Sequence, residues 1–534
     1  MGKKRVLVIG AAASGLAAIK CCRDEGLEVV CVERTDDIGG LWNFTQSVRD
    51  GQACVMKTTV INTSKEMMCY SDFPIPADYP IFMHNTKVLA YFRLYAEKFE
   101  LLKDIQFNTE VLHVTQTKDF EETGRWSVQL KDRKTNQERT ETFDAVMVCT
   151  GHHAEKHMPS FPGLEDFQGR IVHTHDYKDH VGLEDKRVVV IGIGNSGGDV
   201  AVELGRVCKQ VFLSTRRGCW VGNRVSDDGL PADMRFIRRS FVTIQGLIPS
   251  SWANTFAESK LNSRFDHAAY GLQPKHRFDA QHPMVNDDLP NRIACGSVII
   301  KPNIKKINKT SVEFEDGSIE EDIDCIIFAT GYIFGFPFID KSVLEVKKNV
   351  VDLYKYAFLP DLAQPTMSVI GFVQPWGAIM PIAELQCRLS ARLFKGVAKL
   401  PSRFEMWADI RKKQRDMAKR YVGTQRHTIQ VDWIPFMDEL AELLGCRPNC
   451  WEIFKSDPKL GLSIVFGPCT PYQYRLQGPG QWSGAREAIM TQWDRTYAPM
   501  KSRFIEKTDE GHMALIRKII IVIIILWILK WLFF

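Results

Sequence analysis

Two glycine-rich turns in this sequence have the residue types and spacing that bind the phosphates of a dinucleotide. The first reads GAAASG from Gly10 to Gly15, and the second reads GIGNSG from Gly192 to Gly197. Each turn follows a short apolar run and opens a stretch with helical character, which is the context that makes such a motif specific. The N-terminus of the following helix offers free N–H groups and a partial positive charge to a pyrophosphate. The pattern therefore predicts two dinucleotide sites in one chain.

The residue that closes the next apolar run differs between the two turns. Glu33 lies 18 residues after Gly15, close to the spacing at which a carboxylate accepts hydrogen bonds from a ribose 2′-hydroxyl. Arg216 and Arg217 lie at the equivalent place after the second turn, and Arg224 follows shortly. Guanidinium groups pair with a 2′-phosphate, although paired arginines at a strand end also occur as solvated surface charges. The first turn therefore predicts FAD, and the second predicts NADPH.

The two predicted sites comprise the glycine turns and the residues that read the ribose. The candidates for FAD are Gly10, Ala11, Ala12, Ala13, Ser14, Gly15 and Glu33. The candidates for NADPH are Gly192, Gly194, Asn195, Ser196, Gly197, Gly198, Asp199, Arg216, Arg217 and Arg224. Ala12 stands where the motif has its middle glycine, so a methyl group is added where the backbone should approach the phosphates. This departure bears on the affinity for FAD.

The composition limits the class of protein. A chain of 534 residues predicts two or three domains, and a net charge of +5 is too small to indicate a nucleic-acid partner. The 14 cysteines show no CxxC pair, which excludes the redox-active dithiol of disulfide-reducing flavoenzymes. Their distribution is typical of reduced, buried thiols in a cytosolic domain, and no metal-ligating pattern is found.

The elements that position the two turns predict an α/β fold with two Rossmann-like dinucleotide-binding domains. Apolar runs at 143–149 and 323–328 both end near a Thr-Gly pair and bracket the second turn. We therefore expect an NADPH-binding domain at 156–330 inserted into an FAD-binding domain at 1–155 and 331–445. Residues 220–300 show no clean strand pattern and are predicted to cover the substrate or touch a membrane. Helical periodicity appears around 384–397, 402–421 and 433–444, and residues 446–512 form a C-terminal region.

The end of the chain is strongly apolar. Every residue from 519 to 529 is apolar, and the hydrophobic tail extends over 513–534. An 11-residue run is short for a membrane span, which needs roughly 20 residues. We predict a membrane anchor and leave open whether it crosses the bilayer or lies in its interface. The catalytic domains are then expected to face the cytosol.

The stretch at 167–177 matches the pattern FxGxxxHxxxY. With GGLW at 39–42, INTSK at 61–65 and ATGY at 329–332, it resembles the flavin-containing monooxygenases, a class B flavoprotein monooxygenase family. The resemblance covers essentially the whole chain. MHN at 83–85, HH at 152–153 and QHP at 281–283 are most similar to the fifth vertebrate form, with which Baeyer–Villiger activity is associated.

This resemblance implies an NADPH- and O2-dependent monooxygenase at the endoplasmic reticulum membrane. Such an enzyme forms a C4a-(hydro)peroxyflavin and inserts one oxygen atom into small lipophilic substrates. The cofactor carries out the oxygen chemistry, and the protein binds, orients and excludes water. Whether the substrate is a ketone, an amine or a sulfide stays open, and His282 favours a carbonyl. Homo-oligomerisation also stays open.

The resemblance also implies roles for single residues. Asn62 is the catalytic candidate, with its side-chain amide between flavin and NADP+; the alternative is a turn asparagine that caps the next helix. His173 and Tyr177 of the motif are expected to pack at the domain junction. The remaining residues expected to contact FAD are Gly40, Leu41, Trp42, Thr63 and Gln374.

Two other functions share these features. A membrane-bound NADPH dehydrogenase or NADPH oxidase-type flavoprotein would also combine two nucleotide sites with an apolar tail. It would need neither the FxGxxxHxxxY motif nor Asn62. A non-catalytic, nucleotide-sensing membrane protein is a third interpretation, and weak FAD binding would favour it.

Overall fold

The first sheet of the protein has five parallel strands and lies beside the first glycine turn. The computed structural model describes residues 2–49, 51–423 and 428–503. In spatial order the strands are Met367–Val369, Ala145–Val148, Arg5–Ile9, Glu28–Val32 and Ile105–Gln106. The central strand pairs Val6 with Val29 on one side and with Ala145 on the other. The central strand and its two neighbours are almost entirely apolar, as is typical of a parallel sheet that is covered on both faces.

The second sheet repeats this arrangement around the second glycine turn. Its five parallel strands, in spatial order, are Val298–Lys301, Gln210–Ser214, Arg187–Ile191, Cys325–Phe328 and Arg170–His173. Alternate residues of the central strand pack into two separate apolar clusters. Val188 and Val190 belong to one, and Val189 and Ile191 belong to the other. Because successive side chains of a strand point to opposite faces, these two clusters show that the sheet is buried on both faces.

The second sheet lies between two parts of the first in the chain. Four strands of the first sheet come before residue 149, and its last strand, Met367–Val369, follows every strand of the second. The two connections run side by side, because Glu155–Lys156 pairs antiparallel with Tyr332–Ile333. The chain thus leaves and re-enters the first unit at one place.

Long helices complete the first unit. The helix Ala13–Asp24 follows the first glycine turn and packs against Ile379–Lys395, which in turn contacts Trp433–Leu444. Arg403–Arg420 lies between the last two in sequence, so the three helices expected from periodicity are confirmed. The first of them begins at Ile379, earlier than predicted, because Pro381 is tolerated in the first turn of a helix.

The segment 220–300 consists of short helices flanked by a strand pair. Val221–Gly222 pairs with Met284–Val285 and closes the segment at its base. Several apolar side chains of these helices are exposed; they are Phe241, Ile244, Leu247, Trp252 and Phe256. The helices are Ala232–Phe236, Arg239–Leu247, Ser250–Asn262 and Leu289–Ala294.

Smaller elements cover the edges of the two sheets. Two antiparallel sheets comprise Thr109–Gln116, Trp126–Asp132 and Glu138–Phe143, and Ile304–Ile307, Val312–Phe314 and Ile319–Glu320. The other helices are Lys65–Met68, Asn85–Lys98, Phe120–Thr123, Asn195–Leu204, Cys450–Ser456, Pro458–Phe466, Ala485–Met490 and Gln492–Tyr497.

The predicted membrane anchor, residues 513–534, lies outside the described residues. Among the helices of 2–49, 51–423 and 428–503, none has the length and apolar character needed to cross a bilayer.

Candidate functional site

The first glycine turn is a tight connection that requires glycine at both ends. Gly10 has a φ of +99°, in the region that favours glycine. A Cβ on Gly15 would lie 1.8 Å from the carbonyl oxygen of Gly10, so any side chain there would force the turn open. The helix Ala13–Asp24 begins directly after Ala12, with no acidic residue in its first turn. The free N–H groups of this helix end fit the pyrophosphate of a dinucleotide.

Glu33 lies directly beside this turn and is buried. Its Oε2 accepts a hydrogen bond from the Ala11 N–H at 2.9 Å. Its Oε1 accepts from both the N–H and the hydroxyl of Thr35, at 2.9 and 2.8 Å. An ionised carboxylate has about four acceptor positions, so about one remains for a ribose hydroxyl. The turn and the carboxylate are thus held together in the arrangement that suits FAD.

The Ala12 methyl group faces Gly40. A Cβ on Gly40 would lie 2.7 Å from the Cβ of Ala12, and Gly40 has a φ of +54°. The neighbouring Gly39 donates its N–H to the carbonyl oxygen of Ala11 at 3.1 Å. The missing side chain at position 40 therefore makes room for the extra methyl of the first turn. Leu41 and Trp42 continue from it in the short turn Gly40–Trp42 and are half-buried.

The second glycine turn repeats the geometry of the first. Gly192 has a φ of +106°, and a Cβ on Gly197 would lie 2.0 Å from the Gly192 carbonyl oxygen. The helix Asn195–Leu204 begins directly after Gly194, again with no acidic residue in its first turn. Ser196 lies within that first turn. The N-terminus of this helix fits a second pyrophosphate.

Two side chains of this second helix hold the segment that returns from the insertion. Asn195 Oδ1 accepts a hydrogen bond from the Val285 N–H at 2.9 Å, and Asp199 Oδ1 accepts from Asn286 Nδ2 at 2.9 Å. Burial raises the pKa of Asp199 to about 6, and the nearby Arg224 opposes that shift. A Cβ on Gly198 would lie 2.1 Å from a methionine sulfur on the same returning segment. These residues therefore join the helix to the insertion.

The arginines expected to read the ribose phosphate divide into two groups. Arg216 is exposed and Arg217 is half-buried, just after the strand Gln210–Ser214. Within residues 2–49, 51–423 and 428–503 neither has an acidic partner, so both charges are available to a phosphate. Arg224 is instead paired with Asp287 at 3.2 Å and lies against Asn62.

Asn62 is oriented by this arginine and does not cap a helix. Arg224 Nη2 donates to Asn62 Oδ1 at 2.7 Å. The next helix, Lys65–Met68, has Ser64 at its N-cap and no side-chain cap. The alternative in which Asn62 is a capping residue is therefore wrong.

The loop that carries Asn62 is held at a second point. The Ser64 N–H donates to Asp233 Oδ2 at 2.7 Å. Burial raises the pKa of Asp233 to about 6, and the hydrogen bond from Ser64 opposes that shift. Thr63, between the two contacts, is half-buried. Both contacts come from the segment that begins the insertion.

The other expected residues lie where the two units meet. The His173 ring Nε2 is 3.1 Å from the carbonyl oxygen of Gly331, on the second connection. Burial lowers the pKa of His173 to about 4, so the ring is neutral at physiological pH. Tyr177 is buried in the same apolar cluster as Met56 of the first unit. These two motif residues pack at the junction, as expected.

Gln374 begins a short strand that faces the insertion. The strand Gln374–Pro375 pairs with Gln430–Val431, and the Gln374 N–H donates to the Ile429 carbonyl oxygen at 2.7 Å. The next residue in the chain after this strand, Trp376, packs against both Phe278 and His282, with ring centroids 5.4 and 5.3 Å apart. His282 thus contacts the edge of the first unit.

Two acidic residues of the site have no counterpart in any sequence pattern. Asp287 pairs with Arg224 and Asp233 holds Ser64, across 63 and 169 residues of sequence. Both lie in or beside short elements without a periodic pattern. Of Arg224, Asp233 and Asp287, the sequence analysis singles out Arg224 alone.

Comparisons with known proteins show the family of the chain. The sequence model described as flavin-binding monooxygenase-like matches residues 3–533. The chain is 54% identical to flavin-containing monooxygenase 5 of Homo sapiens over 95% of both chains. It is 46% identical to dimethylaniline monooxygenase [N-oxide-forming] 2 of Mus musculus over 97% of both. The structure of S-allyl-L-cysteine S-oxygenase from Allium sativum has the same fold, with a TM-score of 0.63, 23% identity, and 93% of this chain and 99% of that chain covered.

Proposed function

Because the chain belongs to the flavin-binding monooxygenase-like family, we propose that its two glycine turns bind FAD and NADPH on either side of Asn62. The chain is an NADPH- and O2-dependent flavin monooxygenase. We assign the FAD-binding domain to residues 1–155 and 331–445 and the NADPH-binding domain to 156–330. Both are Rossmann-like, and residues 446–512 form the C-terminal region.

One observation carries this assignment. Both turns have a first glycine with positive φ and a last glycine whose Cβ would closely approach the first glycine's oxygen, at 1.8 and 2.0 Å. The two turns differ in the side chains beside them. Glu33 is buried against the first, whereas Arg216 and Arg217 lie beside the second. A carboxylate suits an unphosphorylated ribose, and guanidinium groups suit a 2′-phosphate.

The protein residues would bind, orient and shield the two nucleotides, while NADPH would supply the electrons and the flavin would carry out the oxygen chemistry. Helix N-termini at the two turns stabilise the negative charge of the pyrophosphates. We assign Gly40, Leu41, Trp42, Thr63 and Gln374 to the residues that would hold FAD. Asn62 donates hydrogen bonds from its amide nitrogen to groups held between the two nucleotides.

Asn62→Ser tests the catalytic role. The shorter hydroxyl loses the amide donors, so we expect normal FAD content, little oxygenated product, and hydrogen peroxide equal to the NADPH consumed. The measurement is product, peroxide and NADPH in the same reaction. Asn303→Ser is the matched control, because that amide donates to Glu315 on the surface. Normal product formation by Asn62→Ser would refute the role of Asn62.

The same assay separates the enzyme classes. Wild-type protein that reduces a quinone with NADPH but forms no oxygenated product would be a membrane-bound dehydrogenase. Wild-type protein that yields only peroxide with every substrate would be an NADPH oxidase. The family membership favours oxygenated product.

We further propose that carbonyl compounds are among the substrates, together with small lipophilic amines and sulfides. Support comes from the identity to flavin-containing monooxygenase 5 and from the position of His282 against Trp376 at the junction of the two units. A ketone and a thioether of equal size form the matched test. Ester formation from the ketone supports the proposal, and exclusive sulfoxidation contradicts it.

Attachment to the endoplasmic reticulum membrane, with the catalytic domains in the cytosol, is also a proposal. The apolar tail at 513–534 supports it, and so do exposed apolar side chains on the insertion. Leu247 is 80% exposed and Trp252 is 71% exposed. A chain ending at residue 512 should still bind microsomes until Leu247 and Trp252 are both replaced by serine. Full release by the truncation alone would show that the tail is the sole anchor.

A further inference from the structure

Arg224 connects the catalytic asparagine to an acidic residue of the insertion. Its Nη2 donates to Asn62 Oδ1 at 2.7 Å, and the same nitrogen lies 3.4 Å from the carbonyl oxygen of Val60. Its Nη1 donates to Asp287 Oδ2 at 3.2 Å, while its backbone N–H donates to Asp287 Oδ1 at 3.1 Å. The side chain is 14% exposed. Arg224 is therefore fixed from both its backbone and its guanidinium.

We propose that Arg224 is the positioning residue of Asn62, which fixes the amide so that its nitrogen is presented as a donor to the bound nucleotides. This inference rests on the catalytic role proposed for Asn62. It assigns to Arg224 a task different from reading the ribose phosphate.

The orientation of the amide follows from the chemistry of the pair. A guanidinium group has five donors and no acceptor, so the atom of Asn62 that faces it must be the oxygen. The amide nitrogen then points away from Arg224. Within the part of the chain that the structure describes, this nitrogen has no protein acceptor. Two N–H donors are thus left for a ligand, and rotation of the amide would break the bond to Arg224.

The charge balance also argues against a phosphate at Arg224. Asp287 already neutralises this guanidinium, with a side chain that is 34% exposed. Arg216 and Arg217 have no acidic partner among the described residues and lie after the strand that normally reads the ribose. A 2′-phosphate would gain more from those two charges than from a paired one.

The same segment holds the backbone of the Asn62 loop. Asp233 accepts from the Ser64 N–H at 2.7 Å, two residues after Asn62. Arg224 fixes the side chain and Asp233 fixes the backbone, and both belong to residues 220–236. The amide is therefore aimed correctly only while this segment of the second unit is docked on the first.

The test is a double-mutant cycle between Arg224 and Asn62, measured on the FAD-loaded enzyme. Arg224→Lys keeps the positive charge but loses the fork that bridges two partners. We expect the peroxide released per NADPH to rise at least about threefold, while the dissociation constant of NADP+, from fluorescence quenching, stays within about threefold. Because the peroxide yield of Asn62→Ser is already expected at its limit of one per NADPH, the cycle compares the rate constant of peroxide release, and in that background Arg224→Lys should not raise this rate constant further.

Controls keep the result independent of folding. Arg206→Lys changes another arginine of the same unit that is paired with an aspartate, Asp288, on the surface, and it should leave the peroxide yield unchanged. The melting temperature identifies any variant that is merely destabilised. If Arg224→Lys cannot be purified with FAD, Asp287→Asn releases the guanidinium with the arginine intact and should raise the peroxide yield.

Three results would overturn the proposal. NADP+ binding weakened about tenfold or more by Arg224→Lys, with NADH kinetics unchanged, would make Arg224 a phosphate reader. Increases in the rate constant of peroxide release that multiply in the cycle would mean that Arg224 acts independently of Asn62. If Arg224→Lys forms oxygenated product as the wild type does while Asn62→Ser releases peroxide, the role proposed for Arg224 is refuted and that of Asn62 is kept. Normal coupling in Asn62→Ser would instead refute the function proposed for Asn62.

Discussion

The contact between Ala12 and Gly40 makes the first glycine turn sensitive to a single methyl group. Gly40→Ala would place a Cβ 2.7 Å from that of Ala12, well inside the roughly 3.5–4.0 Å of an ordinary carbon contact. Extra methyl groups in well-packed sites cost about 1–3 kcal/mol. The φ of +54° at Gly40 adds about 1–2 kcal/mol for any residue with a side chain.

The sum predicts a large loss of FAD affinity from Gly40→Ala. About 2–5 kcal/mol corresponds to roughly 30-fold to several thousand-fold in the dissociation constant, since about 1.4 kcal/mol is tenfold. The turn must adopt its present geometry to bind FAD for this loss to appear. In the Gly40→Ala background, Ala12→Gly removes the overlap between the two methyl groups but not the cost of the positive φ at position 40. The double variant should therefore lose only about 5- to 30-fold, from about 1–2 kcal/mol.

The assay measures the binding of FAD to deflavinated protein, with the quenching of flavin fluorescence as the signal. The four members of the cycle are the wild type, Ala12→Gly, Gly40→Ala and the double variant, with melting temperatures measured in parallel. Rescue by the second substitution supports the contact. If the double variant binds FAD as poorly as Gly40→Ala, the two positions are not coupled and the Ala12 methyl group does not restrict position 40.

Further predictions concern the second turn and the pH dependence. Replacing Arg216 and Arg217 by glutamine should raise the KM for NADPH at least about tenfold and leave NADH unchanged; equal effects on both would contradict the phosphate role. Gly197→Ala should abolish NADP+ binding because its Cβ meets backbone, whereas Gly198→Ala meets a flexible methionine side chain and should retain most of it. Burial raises the pKa of Asp233 to about 6. The contribution of this carboxyl to the free energy of unfolding is therefore fully present below about pH 4 and is lost as the pH rises through about 6. Asp233→Asn should remove this loss. A difference in melting temperature between the two proteins that stays constant from about pH 4 to 7 would refute the prediction.

The parts predicted from sequence are those set by short, local patterns. Each glycine turn, its preceding strand and its following helix occupy a continuous stretch of about 30 residues, as in a βαβ unit. The helices Arg403–Arg420 and Trp433–Leu444 are equally accessible to prediction, because one face of each is apolar at helical spacing.

The parts that escape prediction depend on distant residues or lack an apolar stripe toward the core. Arg224 reaches Asn62 across 162 residues, and no local pattern encodes such a pairing. The helices Arg239–Leu247 and Ser250–Asn262 have only one buried residue between them, so periodicity gives no sign of a core-facing side. The space that Gly40 leaves for the Ala12 methyl group likewise appears only when the turn Gly40–Trp42 lies against the first glycine turn.

The insertion has two functions that are linked by its position in the chain. Its first residues hold Asn62 and Ser64 of the first unit, while its returning strand is tied to Asn195 and Asp199 on the NADPH-side helix. The strand pair Val221–Gly222 and Met284–Val285 joins these two sets of contacts, so we expect a displacement of that helix to alter the position of the Asn62 amide. If Asn62 has the catalytic role proposed for it, the docking of the second unit would set the orientation of this amide beside the proposed FAD site.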